Sequence, residues 1–163
     1  MAEILQVQQM MAPAFEPKRQ NRWVLEWDGL DAYTLKTFAR PSRNNNEIVV
    51  DYLNTKRYYT GKHEWQPIEM TLYDPIVPSA AQRVEEWSRL CYEGITGRAG
   101  YKEFYTARNF KLKLLDPPGG VIEQWDFINA FPTAINYGPL DYASAEITMI
   151  TMTVRFDEAI LQF

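Results

Sequence analysis

Five features of the sequence combine residue types that could do chemistry. Gly94-x-x-Gly97-x-x-Gly100 has the glycine spacing of a phosphate-cradling loop, but it lacks the Lys-Ser/Thr pair such a loop needs and follows a helical pattern instead of a strand. It reads better as a pliable helix exit. Glu85-Glu86 supplies two carboxylates, yet neighbours on a helix diverge by about 100 degrees, which is poor geometry for paired acid-base work. They suit a solvated face. His63 beside Glu64 could be half of an acid-base pair, though a lone histidine next to a turn glycine more simply reads as a surface or interface side chain. Cys91 has nothing basic beside it in the helical pattern to make a thiolate, so it reads as a small buried side chain. Finally, Trp23, Trp27, Trp65, Trp87 and Trp125, with ten tyrosines and eight phenylalanines, could form a stacking platform for single strands. Basic residues interleave with them only at 18–22, 40–43 and 56–62, and most aromatics sit on alternating strand faces, where a core puts them. None of the five makes an enzyme; no cofactor and no metal site is expected.

Composition narrows the classes further. The chain has 163 residues, 46% of them apolar and 23% charged, which suits one globular domain over 1–163 with a single core. Seventeen basic against 21 acidic side chains leave a net charge of -4, the wrong sign for a protein that grips nucleic acid through its phosphates. A single cysteine excludes an internal disulfide, and a single histidine leaves no His/Cys cluster for zinc. The opening Met1-Ala2-Glu3-Ile4-Leu5-Gln6 has an acid where a signal peptide needs bases, and no apolar run approaches a bilayer-spanning length, so the expectation is a cytoplasmic start with no membrane partner.

The elements that would position these residues are mainly strands. Residues 1–20 read as an N-terminal arm. Trp23, Leu25 and Trp27 alternate with Val24 and Glu26, and Asp28-Gly29 then turns the chain into a partner strand with Tyr33, Leu35 and Thr37, an expected hairpin. In Glu47-Ile48-Val49-Val50-Asp51-Tyr52-Leu53 both faces are apolar, and such a strand needs cover on both sides. Ile68 to Tyr73 is a half-buried strand stopped by Asp74-Pro75. A helix begins at Ser79, with Gln82 three residues on as capping partner, places Val84, Trp87, Leu90 and Cys91 on one face and stops at Gly94. Phe110, Leu112 and Leu114 alternate in a strand whose hairpin partner runs from Val121 to Asn129. A loop through Pro132, Gly138 and Pro139 then leads to a final strand over 146–156. About seven antiparallel strands and one flanking helix make a β-sandwich or barrel.

Three stretches carry a resemblance. They are Ala39-Arg40-Pro41 with the run Glu47 to Tyr59 and Gly61-Lys62-His63-Glu64-Trp65; the Asp74-Pro75 break leading into the helix with Trp87; and Trp125-Asp126-Phe127-Ile128-Asn129-Ala130-Phe131-Pro132-Thr133-Ala134-Ile135-Asn136-Tyr137-Gly138, then Leu140-Asp141-Tyr142 and the strand ending Val154-Arg155-Phe156-Asp157. In order and spacing, from about residue 15 onward, the chain resembles the inner tail tube protein of contractile-tailed bacteriophages, the family of the T4-like tube.

That resemblance implies a β-sandwich protomer with a flanking helix, six protomers closing into a ring, and rings stacking into a hollow tube inside a sheath. It implies a virion structural protein of the tail, assembled in the host cytoplasm. Its partners would be itself, the tail sheath protein, and baseplate and tail-terminator proteins, with double-stranded DNA in transient passage. It further implies that residues 39–62 form an extended stacking arm, whose inter-subunit contacts would come from Arg40, Arg43, Ile48, Val49, Val50, Tyr52, Leu53, Lys56, Arg57, Tyr58 and Tyr59. A wall that DNA must slide past should be neutral or acidic. Glu47, Asp51 and Glu69 are the candidate lumen-facing acids; alternation directs them away from the protomer core, either to a lumen or to the outer surface. A baseplate tube-initiator, a tube terminator, or the inner tube of a phage-derived injection machine is the alternative within this fold.

Overall fold

The computed structural model describes residues 14–163; the first thirteen positions of the expected N-terminal arm lie outside them. Alternating apolar residues build two four-stranded antiparallel sheets packed face to face. Sheet 1 has the order β1-β8-β9-β12, from β1 (Trp23–Trp27), β8 (Phe110–Leu115), β9 (Val121–Ile128) and β12 (Glu158–Leu161). Sheet 2 has the order β10-β11-β5-β2, from β10 (Phe131–Asn136), β11 (Met149–Arg155), β5 (Ile68–Tyr73) and β2 (Leu35–Phe38). The fold is thus mainly β with a flanking helix and an extended hairpin, as the sequence implies.

Period-two alternation decides what is buried. Leu25, Phe110, Leu112, Leu114 and Phe127 point inward from sheet 1 onto Ile68, Met70, Leu72, Ile150, Met152 and Val154 of sheet 2. Helix α1 (Ala80–Cys91) closes one side of this core with Ala80, Val84 and Trp87. The Trp87 ring lies 4.6 Å from that of Trp27, and its indole N–H donates to the Tyr105 carbonyl at 2.7 Å. That bond pins the single turn α2 (Lys102–Tyr105) against the longer helix.

The structure departs from the sequence reading in several places, the simplest being that the final strand starts at Met149 and not at 146. The strands around Trp23–Trp27 and Leu35 do not form a hairpin. β1 pairs with β8 and β2 pairs with β5, in opposite sheets. The Asp28-Gly29 turn closes only a Trp27–Leu30 bridge, and the 3-10 turn Ala32–Thr34, whose buried Thr34 hydroxyl donates to the Asp31 carbonyl at 2.7 Å, carries the chain across the sandwich. The stretch around Pro132 is a strand, not a loop. Proline is tolerated because β10 is an edge strand and the ladder shifts register just after it. Finally, the helix ends at Cys91, not at Gly94: Tyr92 is already extended, Leu90 is exposed, and the left-handed glycine is Gly97, φ 67°, in the turn between β6 (Tyr92–Glu93) and β7 (Arg98–Ala99).

Candidate functional site

One element lies almost wholly outside this core, joining it only through Trp65 at its root. β3 (Arg43–Tyr52) and β4 (Thr55–Trp65) pair only with each other, and nearly every residue of the ribbon is exposed. At about 3.3 Å per residue, ten residues carry its tip roughly 33 Å from its root. The register sorts its side chains. Ile48 lies opposite Tyr59, Val50 opposite Arg57 and Tyr52 opposite Thr55, giving one apolar and aromatic face with a single charge, Arg57. Glu47 opposite Thr60, Val49 opposite Tyr58, and Asp51 opposite Lys56 give the other, more polar face, where Asp51 and Lys56 approach to 4.0 Å. At the tip Leu53 combines a φ of 50° with 88% exposure. A branched side chain in the left-handed region is strained, and this one finds almost no cover among the described residues.

The arm is anchored firmly at its root. Trp65 is buried, donates its indole N–H to Glu158 at 3.0 Å, and carries the Arg43 guanidinium over its ring at 5.3 Å. Arg155 reaches Glu64 at 3.3 Å, and His63 lies 3.5 Å from Glu158. Near the root a register shift sets Gly61 and Lys62 against Asn46, and a Cβ on Gly61 would come within 2.9 Å of the Asn46 carbonyl oxygen. Only glycine allows the two strands to approach there. Arg40 precedes the arm. Its guanidinium binds Glu123 on β9, which also accepts from Lys18 and from the Trp125 indole N–H at 2.7 Å. One carboxylate, 4% exposed, thereby fastens the segment before β1, the link from β2 to the arm, and sheet 1. Burial pushes its pKa up, and the three donors outweigh this and hold it at about 2.

Among the described residues both sheets end in unpaired edges, β2 and β10 in sheet 2, β1 and β12 in sheet 1. Their outward faces differ. On sheet 2 the register aligns Ala134, Thr153 and Glu69 in one row and Asn136, Thr151, Thr71 and Thr37 in the next, a small, hydroxyl-rich surface. Sheet 1 presents Glu26, Lys111, Lys113 and Asp126, with Lys113 paired to Glu26 at 2.5 Å. Of the candidate lumen acids, Glu69 therefore lies on the threonine face, whereas Glu47 and Asp51 ride on the arm's polar face.

The chemical candidates in the sequence do not converge. Glu85 accepts from the Tyr137 hydroxyl at 2.5 Å and from Arg89 at 3.3 Å, so its carboxyl is held below its usual range; burial and that hydrogen bond push Tyr137 up to about 12. Burial also raises the Cys91 thiol, the wrong direction for a nucleophile. Trp65 and Trp87 are buried, and Trp23, Trp27 and Trp125 pack against the same core, which leaves them no stacking platform. Among the described residues no three His, Cys, Asp or Glu side chains gather as metal ligands, and no helix is long and apolar enough to cross a membrane. The sequence reading missed Glu123, because its two cations come from 105 and 83 residues away.

A two-sheet sandwich with open edges, a flanking helix and a long exposed ribbon defines the contractile tail-tube fold. No protein-family model matches the chain, and no curated protein does. Solved structures do match. A chain in the anti-feeding prophage tube-terminating cap superposes with a TM-score of 0.74 at 17% identity, covering 97% of this chain and 99% of that one. One in the sheath–tube complex of the extracellular contractile injection system PVC, in its extended state, gives 0.71 at 15% identity over 98% and 99%. Hcp1 from Flavobacterium johnsoniae gives 0.54 at 11% identity over 86% and 94%.

Proposed function

We propose that this chain is a non-enzymatic structural subunit that polymerises as stacked hexameric rings into the inner tube of a contractile phage tail, through which DNA is delivered. The observation that carries the reading is the combination of the two unpaired edges of sheet 2 with an arm whose apolar face has no cover among the described residues. An edge strand is a template for another strand, and joining the β2 edge of one copy to the β10 edge of the next removes both liabilities at once. A ring closes the series, leaving the arm, with Arg43, Ile48, Val49, Val50, Tyr52, Leu53, Lys56, Arg57, Tyr58 and Tyr59, free to contact the neighbouring ring. Arg40 contributes at the arm's base, where it is held by Glu123. The threonine face, with Glu69, would line the lumen; of its two cations Arg155 is paired with Glu64 and Lys36 lies over the Tyr73 ring, so the wall offers little to hold a polyanion. Sheath, baseplate and terminator proteins would be its other partners.

A second reading has its own support: structural likeness extends to a tube-terminating cap as well as to a sheath–tube complex, so one terminating ring is the alternative to a repeating tube. Negative-stain microscopy of concentrated protein tests both. Long tubules are expected; single rings that never lengthen would favour the terminator, and a monodisperse monomer, with or without a baseplate, would overturn both.

A further inference from the structure

The end of sheet 2 away from the arm is also uncovered. The register defines the two ends. Phe38, Ile68, Phe131 and Arg155 mark the one from which the arm departs, and Leu35, Tyr73, Asn136 and Met149 mark the other. At that far end residues 137–148 join β10 to β11. Leu140, Tyr142 and Ile147 project from this loop with little cover and, with Met149, border an open cleft of about 840 Å³. The loop has two charged side chains, Asp141 and Glu146, both acidic. The arm's apolar face has one, Arg57, and among the described residues none of these three makes an ion pair.

We propose that the 137–148 cleft is the socket for the apolar face of the arm of a second copy of this chain. This deepens the proposed function and rests on it. The two surfaces lie at opposite ends of one sheet, so copies placed end to end along its strands bring the arm of each toward the cleft of the next. The two patches differ, so the contact is heterologous, and repeating it gives an open filament instead of a closed pair. Tyr52, Val50 and the strained Leu53 then meet Leu140, Tyr142 and Ile147, while Arg57 meets the two acids, the sign pattern that fixes partner and register.

Cysteines test the contact directly. In a Cys91→Ser chain, Leu53→Cys and Tyr142→Cys introduced together should give, with a short bismaleimide, a ladder of dimers, trimers and longer species. Either substitution alone should give nothing above dimer. Leu53 and Tyr142 are exposed, and the half-buried Cys91 is controlled by the Cys91→Ser chain alone, which should still form tubules. Charges supply a second arm: Arg57→Glu should lower tubule yield about tenfold, and adding Asp141→Lys with Glu146→Lys should restore it. Tubules without a ladder would overturn the socket and leave the tube reading intact. Failure of the restoration would overturn the pairing of Arg57 with these acids. Neither rings, tubules nor ladder from any chain would overturn both readings.

Discussion

Glu123 shows how one buried side chain can tie together segments distant in sequence. It shares the inward side of β9 with Phe127, a position where an unpaired carboxylate would be costly, and two cations with an indole N–H offset that cost. The link from β2 to the arm is tied down through Arg40, so the arm leaves the body in a fixed direction. Because the folded carboxyl titrates at about 2 against an ordinary 4.5, its contribution is complete above about pH 4.5 and disappears as the pH falls through 2. Replacing Glu123 with Gln keeps the shape but strands Lys18 and Arg40; a loss of about 1–3 kcal/mol is expected, since both cations are half-exposed. Thermal melts against pH check this: the variant should melt lower at pH 7 and lose less stability than wild type between pH 4.5 and 2. Nothing local in the sequence marks this residue. Glu123 sits in an apolar strand among partners that only the fold brings near, whereas Cys91, His63 and the glycine trio could be discounted from their neighbours alone.

Elements were legible wherever their signal was local. Ile48, Val50 and Tyr52 alternate along one face of the arm, which the described residues leave uncovered, while Glu47 and Asp51 with Thr60 and Lys56 make the other face more polar than the sequence reading had it. Ser79 caps helix α1 as expected, its hydroxyl accepting from the Gln82 N–H at 3.3 Å, but Gln82 does not reciprocate; its side chain turns toward Glu86. The stronger cap was hidden in the Asp74-Pro75 break. Asp74 accepts from both the Ala80 and Ala81 N–H groups, at 3.1 and 3.2 Å, taking two of the four donors that a helix start leaves unpaired. A carboxylate there also complements the positive end of the helix dipole. Asp74→Ala is therefore expected to cost more than Ser79→Ala, about 2 against about 1 kcal/mol, with Asp74→Asn in between. Denaturant midpoints at constant slope would measure the order; equal losses would show that Ser79 carries the cap after all. Pairing was not legible where the decisive contact was distant: the turn at Asp28-Gly29 looks like a hairpin in sequence, and only the opposite sheets' claims on Trp27 and Leu35 send the two strands apart.

At the scale of the whole molecule, the two sheets divide the labour. Sheet 1 and helix α1 turn paired charges outward, Glu26 with Lys113 and Glu85 with Arg89, as a solvated or sheath-facing wall would. Sheet 2 turns outward Thr37, Thr71, Thr151 and Thr153, residues that favour strands yet offer neither grease nor charge. If sheet 2 closes the ring, this face is on the inside, and the protein's net negative charge lies mainly elsewhere. Accessibility separates the two walls. In a Cys91→Ser background, Thr153→Cys, on the same face but outside the cleft, should react with a small maleimide whether the protein is assembled or not, but with a bulky polymer-linked maleimide only after tubules are taken apart. Lys111→Cys, on the outer face of sheet 1, should react with both reagents in either state. A Thr153→Cys tubule that takes up the polymer as readily as the dissociated protein would place the threonine face outside, and the conduit would then need a different wall.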